Sequence, residues 1–310
     1  MKKSKLASIA LFVYDRPEHT KKTVEALKKN KLAKKSKLFI FSDGPKNKKA
    51  EKKVKEVREY LKTINGFDDV KIFKRRENLG LAKSLTSGIT KLTNEYGKVI
   101  VLEEDIVTSP YFLKYMNEGL DKYEDAKRVA NICSYNYPID EELPETFFLK
   151  FFNCWGWATW KDQWQELEMD GKKLLNKIKK KRKKREFDVD GSYPYYRMLK
   201  RQVKGGNNSW AIRWYASCFL NNKLNLYPYK SLVQNIGFDN TGEHGHKIDW
   251  FETPLAKEEI NLKKIPIRQS EKAYNAFKDY YNSIRWKRIK GRLRKEINKL
   301  SKKLIGKRIF

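Results

Sequence analysis

Three consecutive carboxylates, Glu103, Glu104 and Asp105, are the residues of this chain best suited to chemistry. They directly follow Val99–Leu102, a short and mostly β-branched apolar run that is typical of a strand buried on both faces. Because like charges repel, such a cluster is favoured where a cation or a sugar hydroxyl group binds. Ligands of open α/β sheets bind at the carboxyl ends of the strands, where this cluster lies. The alternative is a solvated turn without a ligand.

Polar residues also follow the other predicted strands, at the same edge of the sheet. Tyr14-Asp15-Arg16-Pro17 ends the first strand and opens a helix, whose N-terminus beside Arg16 favours a phosphate or the polar edge of a base. Asp43 follows the second strand. After the third strand, Gly80 permits close backbone approach and Lys83 is placed to reach a phosphate. A helix cap at Asp15 and an ordinary turn at Asp43 are the structural alternatives.

Strand and helix signals alternate along residues 1–135, which predicts an α/β domain with a mostly parallel sheet flanked by helices. Residues 136–283 are less regular and rich in aromatic residues, and we interpret them as the second half of the same domain. Residues 284–310 are predicted to form a basic amphipathic helix. The predicted strands cover residues 6–14, 37–42, 70–73, 99–102 and 129–133.

The composition limits the classes of protein that this chain can belong to. With 40% hydrophobic and 13% aromatic residues among 310, the chain is expected to be globular. The net charge of +31 favours anionic partners, although it also fits solvated helix faces. Three widely spaced cysteines indicate neither a zinc ribbon nor a disulfide framework. No segment approaches the roughly 20 apolar residues that span a bilayer, so we expect a cytoplasmic protein.

The polar motifs, taken in order, resemble those of nucleotide-sugar glycosyltransferases of the GT-A (Rossmann-like) fold. The likeness is closest to N-acetylglucosaminyltransferase I and to bacterial glycosyltransferases of surface-polysaccharide synthesis, and it covers roughly residues 6–250. The segments that carry it are Tyr14–Pro17, Asp43, Asn78–Lys83, Glu103–Pro110, Cys154–Trp164, Lys230–Phe238 and the histidines after Gly242.

This resemblance implies that Asp105 binds a divalent metal ion, Mn²⁺ or Mg²⁺, which bridges the diphosphate of the donor. It implies that His244 or His246 completes the metal shell or contacts the diphosphate, although a surface loop with idle histidines is the alternative. It also implies that Glu104 lies near the ribose and that Asp43 and Arg16 lie near the base. The full set of implied donor-binding residues is Tyr14, Arg16, Asp43, Lys83, Glu103 and Glu104.

One segment departs from the pattern of the resembled family. Its inverting members carry an aspartate base in a Trp-Asp-x-x-Trp context, whereas the matching segment here, Trp210–Trp214, has Ala211 at that place. Asp239 and Glu243 are the replacement candidates for the catalytic base because they lie next to the histidines. Asp162 is a weaker candidate.

Two further segments each allow two interpretations. Trp155 or Trp157 is suited to stack on a sugar ring of the acceptor, but core packing explains these residues equally well. Residues 285–310 contain twelve basic residues and one acid, and their apolar residues recur every three or four positions from Trp286 to Leu304. This pattern favours a helix on an anionic membrane surface, and docking on the protein's own domain is the alternative.

These observations predict a metal-dependent glycosyltransferase that moves a sugar from a nucleoside diphosphate sugar to a glycan or a lipid-linked acceptor. We expect it to act in surface-polysaccharide synthesis, peripherally on the inner face of the cell membrane. The net charge alone suggests a nucleic-acid-binding protein, but the acidic edge of the sheet would repel a phosphate backbone. A relative that binds sugar nucleotides without turnover is a third hypothesis, which rests on Ala211.

Overall fold

The buried apolar runs of the first half form parallel strands, as their β-branched and aromatic composition predicts. A computed structural model of the protein describes residues 6–239 and 249–305. In this part of the chain the strands are β1 (Ser8–Val13), β2 (Lys37–Ser42), β3 (Asp69–Lys74), β4 (Lys98–Glu103), β5 (Ile106–Thr108), β6 (Val129–Cys133), β7 (Thr146–Leu149), β8 (Trp157–Trp160), β9 (Leu224–Pro228) and β10 (Val233–Asn235).

The helices connect and cover these strands, and most of them bury one apolar stripe. They are α1 (Pro17–Lys28), α2 (Lys48–Leu61), α3 (Leu81–Tyr96), α4 (Phe112–Lys122), α5 (Lys161–Trp164), α6 (Gly171–Lys180), α7 (Lys184–Phe187), α8 (Tyr195–Val203), α9 (Trp210–Leu220) and α10 (Glu271–Ile305). None of the helices in the described ranges combines the length and the apolar character that a membrane crossing requires.

One eight-stranded sheet forms the centre of the protein, in the order β3-β2-β1-β4-β8-β6-β9-β7. Strands β1 to β4 run parallel to one another, so the residues that follow β1, β2 and β4 share one edge of the sheet. Strand β8 is antiparallel to both of its neighbours, and β7 is antiparallel to β9. The sheet is thus mostly parallel, as predicted, but three of its strands, β7, β8 and β9, lie in the segment that the sequence presents as less regular.

A second, two-stranded sheet extends the acidic edge. Strand β10 pairs antiparallel with β5, which begins directly after the acidic cluster, and the register sets Asn235 opposite Ile106. The backbone N–H of Ile236 then donates to the carbonyl of Asp105 at 2.9 Å. This pairing carries a segment of the second half across to the strand ends of the first half.

The C-terminal helix α10 confirms the predicted helix and begins earlier than expected, at Glu271. Its first half packs on the domain through buried residues that include Phe277 and Tyr281, and the ring of Phe277 lies 5.1 Å from that of Phe151. Beyond this contact, Trp286 and Leu293 are 61% and 57% exposed. The helix continues without a break across residues 283 and 284, where the sequence suggests a boundary.

Candidate functional site

The acidic cluster lies where β4 ends, and each carboxylate has a different environment. The carboxylate of Glu104 accepts a hydrogen bond from the backbone N–H of Tyr14, and the carbonyl of Glu104 accepts one from Thr23 Oγ1 at 2.7 Å. Burial raises the pKa of Glu104 to about 8, and the neighbouring Asp105 adds to that rise. Glu104 therefore fastens the end of β4 to the segment that follows β1.

Glu103 and Asp105 lie near Cys154, a residue of the second half of the protein. Burial raises the pKa of the Cys154 thiol, and the carboxylates of Glu103 and Asp105 raise it further, which locates both acids near this cysteine. Burial also raises the pKa of Asp105, against the opposing effect of Arg16. The site therefore lies between the strand ends of β4 and the aromatic segment around Cys154.

Arg16 connects Asp105 with the segment after β10. Its Nη1 lies 2.9 Å from Asp105 Oδ2, and its Nη2 lies 3.3 Å from Asp239 Oδ1. His19, one helical turn further along α1, places Nε2 at 3.0 Å from Asp239 Oδ2 and at 2.8 Å from Arg16 Nη2. Arg16, the residue before α1, and His19, in the first turn of α1, thus contact carboxylates from different parts of the chain.

Gly237 lies against the carboxylate of Asp105. A Cβ atom at this position would be 2.2 Å from Asp105 Oδ2 and 3.0 Å from each of Arg16 Nη1 and Asn235 Oδ1. The side chain of Asn235 also accepts a hydrogen bond from the N–H of Gly237, at 2.7 Å. Only glycine permits the segment after β10 to approach Asp105 this closely.

Asp43 is buried at the end of β2, where it organises two loops. Its Oδ1 accepts hydrogen bonds from the N–H groups of Gly44 and Leu79 at 3.0 and 2.9 Å, and its Oδ2 accepts one from Gly80 at 2.9 Å. Asn78 Nδ2 donates to the carbonyl of Gly44 at 2.7 Å. The predicted turn therefore does require a carboxylate, because Asp43 holds the loop after β2 to the loop after β3.

Tyr14 and Lys83 flank this pair of loops. The hydroxyl of Tyr14 accepts a hydrogen bond from the N–H of Lys46 at 3.0 Å, and burial raises its pKa. Lys83 is exposed in the first turn of α3. All of the predicted donor-binding residues therefore lie at one edge of the sheet: Tyr14, Arg16, Asp43, Lys83 and the acidic cluster.

A divalent metal ion fits this site in donor type. The side-chain oxygen atoms of Asp105 and Asn235 both lie beside Gly237, and such oxygen donors suit Mn²⁺ and Mg²⁺. Within residues 6–239 and 249–305, no group of three or more His, Cys, Asp or Glu side chains is arranged to hold a metal ion. His244, the predicted second ligand, and His246 lie outside the described residues.

The structure separates the two tryptophans that the sequence offers for sugar stacking. Trp157 is fully buried in β8, and its ring stacks on Trp210 with the centroids 5.5 Å apart. Trp155 is only partly buried, and its ring lies 5.5 Å from that of Phe238 and 5.6 Å from that of Phe251. Trp157 is therefore a core residue, and Trp155 lies next to the segment that carries Asp239.

The candidates for the catalytic base differ in their positions. Asp239 lies beside the site with a 41% exposed side chain, and Glu243 lies outside the described residues. Asp162 follows Trp160, which pairs with Lys98 at the start of β4, so it lies at the opposite edge of the sheet and contacts Lys127 at 3.1 Å. Ala211, in the first turn of α9, packs against the core.

Three residues of the site have no predicted role in the sequence analysis: His19, Asn235 and Gly237. A signal for His19 exists, because it follows Arg16 by three residues at the start of a helix and so shares its face. Gly237 lies in the segment Lys230–Phe238, which carries the resemblance, but its approach to Asp105 depends on the pairing of β10 with β5.

Comparison with known proteins identifies the family. The profile described as Glycosyl transferase family 2 matches residues 8–203, which include Arg16, Asp43 and the acidic cluster but not Asp239. No curated protein sequence matches the chain.

Two solved structures are similar at low identity. A mannosyltransferase from Pyrobaculum calidifontis in complex with GDP-Man and Mn²⁺ is 9% identical with a TM-score of 0.36, covering 51% of this chain and 45% of that chain. TarS from S. aureus is 13% identical with a TM-score of 0.31, covering 44% and 23%. The chain thus spans less than half the length of either. The narrower likeness to N-acetylglucosaminyltransferase I stays a prediction. The family profile, by contrast, matches more than half of the chain, which therefore belongs to glycosyl transferase family 2.

Proposed function

We propose that the protein transfers a sugar from a nucleoside diphosphate sugar to an acceptor hydroxyl group with the help of a divalent metal ion. The observation that carries this proposal is the convergence of Arg16, Asp43, Glu104 and Asp105 at the carboxyl edge of the parallel strands. Family membership supports the reaction class.

Each group has a part in the proposed reaction. Asp105 is the residue that would hold the metal ion, with the amide oxygen of Asn235 close by, and a bound ion would supply positive charge to the leaving nucleoside diphosphate. Asp43 fixes the two loops that border the nucleoside, and Arg16 offers a guanidinium group to the diphosphate. Glu104 holds the end of β4 against Tyr14 and α1. Asp239 and Glu243 are the candidates that accept the proton of the acceptor hydroxyl group.

A ligand screen followed by turnover tests this proposal. Thermal shifts measured with UDP-, GDP-, CMP- and dTDP-sugars plus Mn²⁺ identify the donor class, and hydrolysis or transfer of that donor is then measured. We expect Asp105→Ala to lower the Mn²⁺-dependent rate by at least about 10³-fold, because the metal ion stabilises the transition state by several kcal/mol. Asp162→Ala, a carboxylate at the opposite edge, serves as the control and should keep the wild-type rate. Retained metal-dependent activity in Asp105→Ala contradicts the metal assignment.

The acceptor is proposed to bind on the side of Trp155. This ring, with Phe238 and Phe251 next to it, offers an aromatic surface beside Asp239, and such rings stack on the apolar faces of sugars. We propose that the acceptor is a glycan or a lipid-linked sugar of surface-polysaccharide synthesis. The aromatic surface is suited to its sugar, and the basic C-terminal helix is suited to the membrane that carries a lipid-linked acceptor.

We propose that α10 binds the protein to the anionic inner surface of the cell membrane. Trp286 and Leu293 are exposed on this helix, and residues 285–310 carry twelve basic residues. Each basic residue near an anionic surface contributes about 1 kcal/mol, so reversible binding is expected.

Sedimentation with vesicles tests this binding. The full-length protein should sediment with vesicles that contain phosphatidylglycerol at low salt and be released at high salt. The double variant Trp286→Ser/Leu293→Ser, which keeps every charge, should sediment several-fold less. Equal sedimentation of both proteins, or equal binding to pure phosphatidylcholine, contradicts the proposal.

A second candidate function, sugar-nucleotide binding without transfer, is favoured by Ala211 at the place of the family's aspartate base. The same screen distinguishes the two functions. Metal-dependent hydrolysis or transfer supports the enzyme, and tight binding without turnover of any bound donor supports the binding protein.

A further inference from the structure

We infer that Arg16 takes the place of the metal ion in the metal-free site, where its guanidinium group holds the carboxylate of Asp105 until a divalent ion replaces it. Asp239 and His19 then keep the displaced guanidinium group beside the site. This inference rests on the proposed function, because it takes Asp105 as the metal ligand.

The first observation is the direct contact between Arg16 and Asp105. Arg16 Nη1 lies 2.9 Å from Asp105 Oδ2, and the two side chains are 13% and 20% exposed. A carboxylate buried to this degree is costly unless a cation pairs with it. A metal ion that binds the same oxygen at about 2.0–2.6 Å would bring its two charges close to the guanidinium group. The metal ion and Arg16 therefore compete for Asp105.

The second observation is that Arg16 has another carboxylate within reach. Its Nη2 lies 3.3 Å from Asp239 Oδ1, and His19 lies against both the guanidinium group and Asp239. Loss of the contact with Asp105 therefore leaves the guanidinium group held on its other side. It stays at the sheet edge, where the diphosphate of the donor is proposed to bind.

The third observation is the lack of room around Asp105. Gly237 lies so close that an added Cβ would be 2.2 Å from Asp105 Oδ2 and 3.0 Å from Arg16 Nη1. The segment after β10 limits how far the carboxylate itself can move, so it is the long and flexible arginine side chain that gives way to the ion. Arg16 thus lowers metal affinity in the absence of a donor and remains available to the diphosphate once the ion is bound.

Binding of Mn²⁺ to the full-length protein without nucleotide tests this inference. Free Mn²⁺ is measured by electron paramagnetic resonance during titration of the wild type, Arg16→Met, Arg16→Gln and the control Lys21→Met. Lys21 is an exposed lysine of α1, so its variant removes one positive charge from the same helix without touching Asp105. Thermal unfolding in EDTA identifies any variant that does not fold. The two replacements of Arg16 differ in size and polarity, so the test can still be made with one of them if the other does not fold.

We expect Arg16→Met and Arg16→Gln to lower the Kd for Mn²⁺ at least tenfold, and Lys21→Met to change it less than twofold. An unchanged or higher Kd in the folded Arg16 variants, or an equal gain in Lys21→Met, overturns the inference. Asp105→Ala distinguishes a failure of this inference from a failure of the proposed metal assignment. If it abolishes Mn²⁺ binding while the Arg16 variants gain nothing, only this inference fails; if Mn²⁺ binding persists in Asp105→Ala, the metal assignment of the proposed function fails.

Discussion

The two halves of the protein hold their cores and their polar groups in different ways. In the first half, residues 6–135, aliphatic strands and stacked phenylalanines form the core, as with Phe41 between Phe12 and Phe73 at 5.0 and 4.9 Å. Its charged groups collect at the strand ends. In the second half, residues 136–305, larger rings fill the core, and Phe187 stacks on Tyr215 at 4.6 Å.

This difference indicates a division of tasks. The first half provides the carboxylates and cations to which we assign the proposed binding of a nucleotide and a metal ion, on a regular sheet that fixes their spacing. The second half provides a rigid aromatic body that contributes one segment, residues 233–239, to the charged edge. The site is thus complete only where the two halves meet.

The largest effect on stability is expected in the aromatic core of the second half. Trp157→Ala should lower the free energy of unfolding by about 3–5 kcal/mol, because it removes a fully buried indole ring. Trp155→Ala should cost less than half of that and should mainly lower transfer to an acceptor, with donor hydrolysis unchanged. Urea denaturation and both rates measured on the two variants check this contrast, which fails if Trp157 and Trp155 behave alike.

An intermediate effect is expected at the loop contacts of the first half. Asp43→Ala leaves three backbone N–H groups without their carboxylate acceptor, which should cost about 1–3 kcal/mol of unfolding free energy. Nucleotide binding should weaken as well, since the two loops lose their connection. Denaturation and calorimetric titration measure these changes. Asp69→Ala, which removes a half-exposed acid of β3, is the matched control, and equal losses in both variants would contradict the role of Asp43.

A smaller effect on stability but a specific effect on binding is expected where the halves meet. Gly237→Ala introduces a methyl group that overlaps Asp105 Oδ2, so the segment after β10 must shift away from the acidic cluster. We expect about tenfold weaker Mn²⁺ binding, equivalent to about 1.4 kcal/mol, with little change in the urea midpoint. Gly206→Ala, at a glycine remote from the cluster in the loop after α8, should bind Mn²⁺ as the wild type does. Wild-type affinity in Gly237→Ala would show that the close approach is dispensable.

Much of the first half can be predicted because its signals are local. Strands β2 and β6 have the predicted bounds, Lys37–Ser42 and Val129–Cys133, since each apolar run ends at polar or turn-forming residues. The same locality places Arg16, Asp43 and Asp105 at one edge. The structure also confirms the α/β class and the C-terminal helix.

What could not be predicted depends on contacts between distant segments. The choice between Trp155 and Trp157 is decided by the insertion of β8 between β4 and β6, and nothing in the local sequence fixes that position. The contacts of Asp239 with Arg16 and His19 likewise depend on the pairing of β10 with β5. The start of α10 at Glu271 reflects packing against the domain, which extends the helix beyond its basic stripe.

The pairing of β5 with β10 has a consequence for the order in which the protein matures. The paired residues are more than 120 positions apart along the chain, so this contact must wait until most of the polypeptide has left the ribosome. Pairing over such a distance forms slowly compared with local contacts. A nascent chain that has already folded β1 to β4 therefore presents its acidic triplet with the covering segment still missing. Productive binding of the donor becomes a late event in biosynthesis, reserved for molecules whose second half is in place.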